Sequence, residues 1–211
     1  MNCRTKERRT QIVREYSLIP VAHIQLLAGQ TKHSDAGQTI ENDYYIFEVM
    51  QEGNDFKDII QCGRTVGKEF LTLLNHADIP LFNPLRCTLT TGRPGGKSVN
   101  VRKPVNPVAE QLHNAIMWVI TIIDAKPGTP IFDNEVAIRK YKHIEPYCSR
   151  IRAVNTIIKN SMGGKTLTEK IDELRFNNDF KDDMCCFDLL IEKLNTETDE
   201  HGNLRGTKSY F

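Results

Sequence analysis

The stretch YYIFEVMQEGNDFKDIIQC, residues 44–62, decides the fold class of this chain. Its first seven residues are rich in aromatic and β-branched side chains, and residues 56–62 return with a similar character. Between them, residues 52–55 read Glu-Gly-Asn-Asp, which is typical of a tight turn. The pattern predicts a β-hairpin over residues 43–62.

A hairpin alone is rarely stable in water, so we expect another strand beside it. Residues 18–27 are apolar and contain Pro20, which favours an edge strand. Residues 87–91 are a second candidate strand. After the hairpin, a helix is predicted over residues 64–76, since its apolar residues fall on one stripe; these are Val66, Phe70, Leu73 and Leu74.

The second half of the chain has helical periodicity. Asn106 followed by Pro107 is a typical helix start, and the apolar stripe that follows predicts a central helix through Ile123. Asp133 is expected to cap a short helix. Thr166 with Glu169 forms a capping-box pattern.

Towards the end, apolar residues recur at alternating spacings of four and three. These residues are Phe180, Met184, Phe187, Ile191 and Leu194, and their spacing predicts one helix with a narrow seam that packs on another helix.

These elements predict the α+β class, with a small N-terminal antiparallel sheet and flanking helices, followed by a C-terminal α-helical bundle. We divide the sequence into an α+β region at residues 1–92, a basic loop or linker at 93–105, a helical bundle at 106–195 and a polar tail at 196–211.

Composition narrows the function classes. The chain has 211 residues, of which 39% are hydrophobic and 26% charged, as in an ordinary globular protein. Its longest apolar run, residues 115–123, is too short to span a bilayer, and no secretory signal is evident. The six cysteines are too sparse for a disulfide scaffold and lack metal-ligand spacing. We therefore expect a cytoplasmic protein without a cofactor or metal.

A net charge of +1 conceals strong segregation. Residues 139–165 hold seven basic side chains against one acid, whereas residues 168–200 hold eleven acids against four bases. Residues 93–103 carry four bases and no acid, and residues 4–15 are also basic. If the basic segments meet on one face, they form a surface for phosphate backbones. Alternatively, 139–165 pairs with 168–200 inside the bundle.

The leading hypothesis is a non-catalytic protein that binds nucleic acid, DNA or RNA, or a nucleoprotein assembly. The candidate phosphate contacts are Arg4, Arg8, Arg9, Arg64, Lys68, Arg93, Lys97, Arg102, Lys103, Arg152 and Lys159.

Arg64 and Lys68 belong to a near-miss phosphate loop. The segment 63–68 reads Gly-Arg-Thr-Val-Gly-Lys, one residue short of the nucleotide-hydrolysing pattern, and Glu69 replaces the magnesium-binding hydroxyl. A weaker prediction survives, in which free amides at this helix start hold an anion beside the two cations.

Two alternative functions stay open. A protein–protein module would dock through the 180–194 seam or through Tyr210-Phe211. A metal-dependent nuclease or hydrolase would use the hairpin acids, namely Glu48, Glu52, Asp55 and Asp58, with Lys57 among them. Cys62, at a strand end before a helix, is a candidate thiolate nucleophile.

Overall fold

The computed structural model describes residues 1–53, 55–86, 104–123 and 127–211. It confirms the α+β class, with a small antiparallel sheet in the N-terminal half and helices after it. Within these ranges, no helix combines the length and apolarity that crossing a membrane requires.

Two compact units divide the chain. Unit 1 comprises Met1–Asn83 and Met117–Val136, and unit 2 comprises Pro84–Ile116 and Ala137–Phe211. Each unit is therefore assembled from two separate stretches of sequence.

The described strands are β1 (Ser17–Gln25), β2 (Lys32–His33), β3 (Thr39–Ile40), β4 (Asp43–Met50) and β5 (Lys57–Gly63). Strands β1, β4 and β5 form an antiparallel sheet in that order. The hairpin and the edge strand over 18–27 are thus confirmed. The other candidate strand, 87–91, lies outside the described residues.

Strand β1 is an edge strand with an interrupted ladder. Its register against β4 shifts between Pro20 and Ala22. Near its end, the backbone of Phe82 pairs with it, since Phe82 N–H donates to His23 (2.8 Å) and Gln25 N–H donates to Phe82 (3.0 Å). This pairing places the segment around Phe82 beside His23.

The described α-helices are α1 (Lys6–Glu15), α2 (Arg64–Leu73), α3 (Pro107–Ile122), α4 (Pro130–Lys140), α5 (Cys148–Ser161), α6 (Leu167–Leu174) and α7 (Asp188–Thr196). In unit 1, α1 and α2 cover the sheet core. The rings of Phe47 and Phe70 pack there at 5.3 Å between centroids. The predicted helix after the hairpin is confirmed, and it starts directly where β5 ends.

The predicted starts of helices α3 and α6 are confirmed. The Asn106 side chain accepts hydrogen bonds from the amides of Val108 and Ala109 at the start of α3. Thr166 and Glu169 make both bonds of the capping box at α6. Each side chain satisfies amides that the helix itself leaves unpaired.

Two other helix predictions are wrong. The 180–194 seam is broken into a 3₁₀ turn at Asp182–Met184 and helix α7. Lys181 N–H donates to the carbonyl of Pro84, and the Arg86 guanidinium donates to that of Phe180, so this backbone pairs with a distant segment. Asp133 does not cap α4, because that helix already begins at Pro130.

Candidate anion-binding site

A buried histidine and aspartate form the base of the candidate site in unit 1. Across β1 and β4, His23 lies opposite Tyr45 and Gln25 lies opposite Asp43, so His23 and Asp43 are diagonal neighbours. The His23 Nε2 atom is 2.5 Å from Asp43 Oδ2, and both residues are almost inaccessible, at 5% and 3% exposure. The other ring nitrogen of His23 is 3.3 Å from the carbonyl oxygen of Ile79.

Arg64 extends this pair towards solvent. It is the first residue of α2, and its Nε donates to Asp43 Oδ2 at 3.0 Å while its side chain stays 53% exposed. Among the described residues, no acceptor takes a hydrogen bond from its two Nη groups. One edge of the guanidinium is therefore anchored, and its outer fork is available to a ligand.

The electrostatics favour a permanently ionised Asp43. Burial by itself raises the pKa of this carboxyl, but hydrogen bonds from His23 and Arg64 outweigh it and leave the pKa below its ordinary value. The anchor of Arg64 is consequently a charged one throughout the neutral range.

Tyr45 supports His23 from the side. Their rings stack with centroids 3.9 Å apart. The Tyr45 hydroxyl donates to Asp78 at 2.7 Å, and burial, with this hydrogen bond, raises the pKa of the phenol. Gly67 in α2 makes this packing possible, because a Cβ there would lie 2.3 Å from the Tyr45 ring.

Two open clefts meet at Arg64. The turn cleft, about 290 Å³, lies between residues 34–43 and residues 63–66. The histidine cleft, about 370 Å³, is lined by His23, Arg64, Lys68 and residues 78–81. Lys68 Nζ is 4.0 Å from Asp78, so one cation on this wall is partly offset by an acid.

Arg4 is exposed and Arg8 is half-buried, and within the described ranges no carboxylate forms an ion pair with either. The side chain of Arg4 lies against the turn at Gly37, with its Cδ 3.8 Å from where a Cβ would stand. Since residues 36 and 38 line the turn cleft, Arg4 lies beside that cleft.

Arg9 is predicted to contact phosphate, but the structure places it inside the protein. It is buried, its Nη1 donates to the carbonyls of Cys3 (2.9 Å) and Arg4 (3.0 Å), and its Nη2 is 2.6 Å from Glu69. The side chain ties the N-terminal segment and α1 to α2, so it offers nothing to a ligand.

In unit 2, two side chains of the basic segment 139–165 pair with acids of 168–200, and a third lies over an aromatic ring. Arg152 pairs with Glu197 at 3.1 Å, and Lys165 pairs with Glu173. Lys159 lies over the Tyr210 ring, with its Nζ 5.9 Å from the centroid. These contacts favour the alternative in which 139–165 pairs with 168–200. The remaining predicted contacts, Arg93, Lys97, Arg102 and Lys103, lie outside the described residues.

The structure does not support the phosphate loop or the Cys62 thiolate. There is no phosphate loop at 63–68, because α2 begins at Arg64 and both Gly67 and Lys68 are helical. Burial raises the pKa of Cys62 well above its ordinary value, which disfavours the thiolate.

The hairpin acids do not gather. Glu48 is buried, Glu52 and Asp55 are exposed, and Asp58 is 3.3 Å from the Met1 amine. No group of three or more potential metal ligands occurs within the described ranges.

Sequence reasoning missed His23 and Asp43 as a pair. Twenty positions separate them, and only the register of β1 on β4 brings them together. The apolar patterns of β1 and β4 could have been aligned to derive their register, and that register would have placed His23 next to Asp43.

Comparison with known proteins gives one match. The family described as "Uncharacterised conserved protein UCP028583" matches residues 1–192, and the chain belongs to this family. No curated protein and no solved structure matches the chain.

Proposed function

We propose that this protein binds nucleic acid through the phosphate backbone, without catalysis, and that Arg64 is the central contact. The observation that carries the proposal is the geometry of this guanidinium. Its Nε is fixed on the buried Asp43, whereas neither Nη group donates to an acceptor within the described ranges. A guanidinium fork matches two phosphate oxygens, and such charge-assisted pairs are stronger than neutral hydrogen bonds.

Anchoring makes this arginine a better ligand than a free one. A flexible side chain loses rotamer freedom when it binds, whereas Arg64 is already held in the folded state. Asp43 is itself held by His23, which is packed against Tyr45. The orientation of the fork thus depends on buried groups.

Neighbouring features add positive potential. Gly63 provides no side-chain cap for α2, so the helix start retains its partial positive charge beside Arg64. Arg4 lies next to the turn cleft, and Lys68 lines the histidine cleft. Contacts of this kind position a backbone and carry little sequence information, so we expect weak base selectivity.

Binding is favoured over turnover by the state of the potential catalytic groups. Both ring nitrogens of His23 face oxygen acceptors of the protein, which leaves no ring nitrogen for a substrate. The Oδ2 atom of Asp43 likewise already accepts from both His23 and Arg64.

The test is an anisotropy titration of labelled single- and double-stranded DNA and RNA over a range of salt concentrations. Wild type should bind at low salt, with log K falling linearly against log salt. R64A should weaken binding about ten- to a hundredfold, because two charge-assisted hydrogen bonds are lost. R64K keeps the charge without the fork and should fall in between.

The matched control is R14A. Arg14 is exposed on a different face of α1, which it shares with Lys6 and Gln11. This variant loses the same charge but should bind nearly as wild type. Absence of binding by wild type at low salt, or equal losses in R64A and R14A, would overturn the proposal.

A further inference from the structure

The segment 208–211 of this chain is held in unit 2 as an extended peptide. The Asn155 side chain in α5 makes two bonds with it, donating from Nδ2 to the carbonyl of Lys208 (2.9 Å) and accepting at Oδ1 from Tyr210 N–H (2.6 Å). At the start of α6, Leu167 N–H donates to the carbonyl of Tyr210 (2.7 Å). All three bonds are made to the peptide backbone.

Asn155 has the properties of a dedicated clamp. Its side chain is 4% exposed, and its amide uses one donor and one acceptor on alternate residues of the segment, as a paired strand would. Buried amides need such partners, so an empty groove would leave Asn155 unsatisfied.

An aromatic anchor completes the contact. The Phe211 side chain is 3% exposed, and its ring lies 6.3 Å from that of Phe187. The preceding Tyr210 ring is flanked by Lys159 and Lys208 at 5.9 and 5.1 Å. The Tyr210-Phe211 pair, which the sequence analysis offers as a contact for a partner, thus has Phe211 already seated in a site within its own unit.

The chain leading to this segment is held much less firmly. Residues 199–206 are almost entirely exposed, and Gly202 and Gly206 adopt positive φ angles. The backbone hydrogen bonds of this stretch are local ones within residues 197–205, such as those from Asp199 N–H to Asn203 and from Arg205 N–H to Glu197. None of the three clamp bonds involves this linker, so they do not depend on the path by which the segment arrives.

We propose that the groove formed by Asn155, Leu167 and Phe187 also accepts the 208–211 segment of a second copy, so that two chains exchange segments and form a dimer. A second copy presents the identical backbone groups and the identical phenylalanine, and exchange of an identical element is a low-cost route to a dimer. The groove residues lie within the family match, which ends at residue 192, whereas the segment lies beyond it.

The test is complementation between two full-length variants. F211A retains the clamp but lacks the anchor, and N155A retains the segment but lacks the clamp. Wild type should dimerise only towards about millimolar concentration, since its own tethered segment competes at that effective concentration. The F211A and N155A mixture should form a one-to-one dimer at concentrations at least about tenfold lower, as measured by sedimentation and native mass spectrometry.

Controls separate the outcomes. The double variant N155A/F211A should stay monomeric. Y210P lacks the N–H that donates to Asn155, so its own segment is weakened while its groove is intact. A mixture of Y210P with N155A should therefore dimerise as the mixture of F211A with N155A does. If N155A does not fold, wild type serves as the donor chain. A mixture that stays monomeric overturns the proposal. A capped peptide of residues 204–211 that binds F211A while the variant chains stay monomeric also overturns it, since the groove would then take free peptides rather than a second copy.

Discussion

Arg64 in unit 1 is paired with an acid in a different way from Arg86 and Lys165 in unit 2. In unit 1, Arg64 is anchored on a carboxylate that is itself buried, and its outer fork stays available. In unit 2, Arg86 meets Asp179 and Asp182, and Lys165 meets Glu173, with both partners largely in solvent. Exposed pairs of this kind contribute little to the free energy of folding, and each neutralises a positive charge that could otherwise attract a ligand. A count of charges along the sequence cannot separate the two situations, because burial of the acid makes the difference.

The largest expected effect breaks the buried anchor. D43N leaves His23 and Arg64 without a charged partner, and we expect the free energy of unfolding to fall by about 2–3 kcal/mol. Thermal unfolding followed by circular dichroism should show the loss. D179N in unit 2 is the matched control and should leave the Tm unchanged, because Asp179 is exposed. Equal effects of the two variants would remove the distinction between the units.

Matched helix caps give a smaller effect that should be the same in both units. Thr5 accepts from Arg8 N–H at α1 (3.2 Å), and Thr166 accepts from Glu169 N–H at α6 (3.1 Å). T5A and T166A should each destabilise their helix by about 1 kcal/mol. Hydrogen exchange measured separately on α1 and α6 checks this, and a much larger loss for T5A would show that capping, rather than the ion network, distinguishes unit 1.

The smallest predicted effect concerns the pH dependence of stability, to which Glu48 in unit 1 and Glu173 in unit 2 should contribute with opposite signs. Burial, with the charge of Asp133, raises the pKa of Glu48 in unit 1, whereas hydrogen bonds from Lys165 and Lys170 lower the pKa of Glu173 in unit 2. A raised carboxyl pKa costs stability as pH rises above the ordinary value of 4.5, and a lowered one adds stability there that is lost as pH falls.

E48Q should therefore raise the Tm at neutral pH, with the gain shrinking towards pH 4.5 and below. E173Q should lower the Tm slightly at neutral pH, with the loss shrinking in acid and in high salt. Tm measured across a pH series decides the matter, and shifts of the same sign for the two variants would contradict this assignment.

The elements that sequence predicts well here are those with local causes. The hairpin follows from two aromatic and β-branched runs around a turn, and Thr166 with Glu169 marks the start of α6. The 180–194 helix is wrongly predicted as continuous because Arg86 and Pro84, far away in the chain, bind the backbone around Phe180. Periodicity within a segment contains no information on such partners.

The residues of the candidate site also differ in whether local sequence reveals them. Arg64 and Lys68 are recognisable from their place at a helix start. His23 and Asp43 are not, since their contact requires the register between two strands. Arg9 directly follows Arg8 in sequence, but Arg9 is buried and paired with Glu69, whereas Arg8 is half-buried and has no ion pair among the described residues.

The irregular outer strand of the sheet has a consequence for solubility. An uninterrupted edge of N–H and C=O groups is a template on which other chains can add strands and aggregate. In β1, Pro20 has no N–H to offer and the register shift follows directly after it, while the backbone of Phe82 occupies the far end. The β1 edge is therefore a poor template for the addition of a strand from another chain.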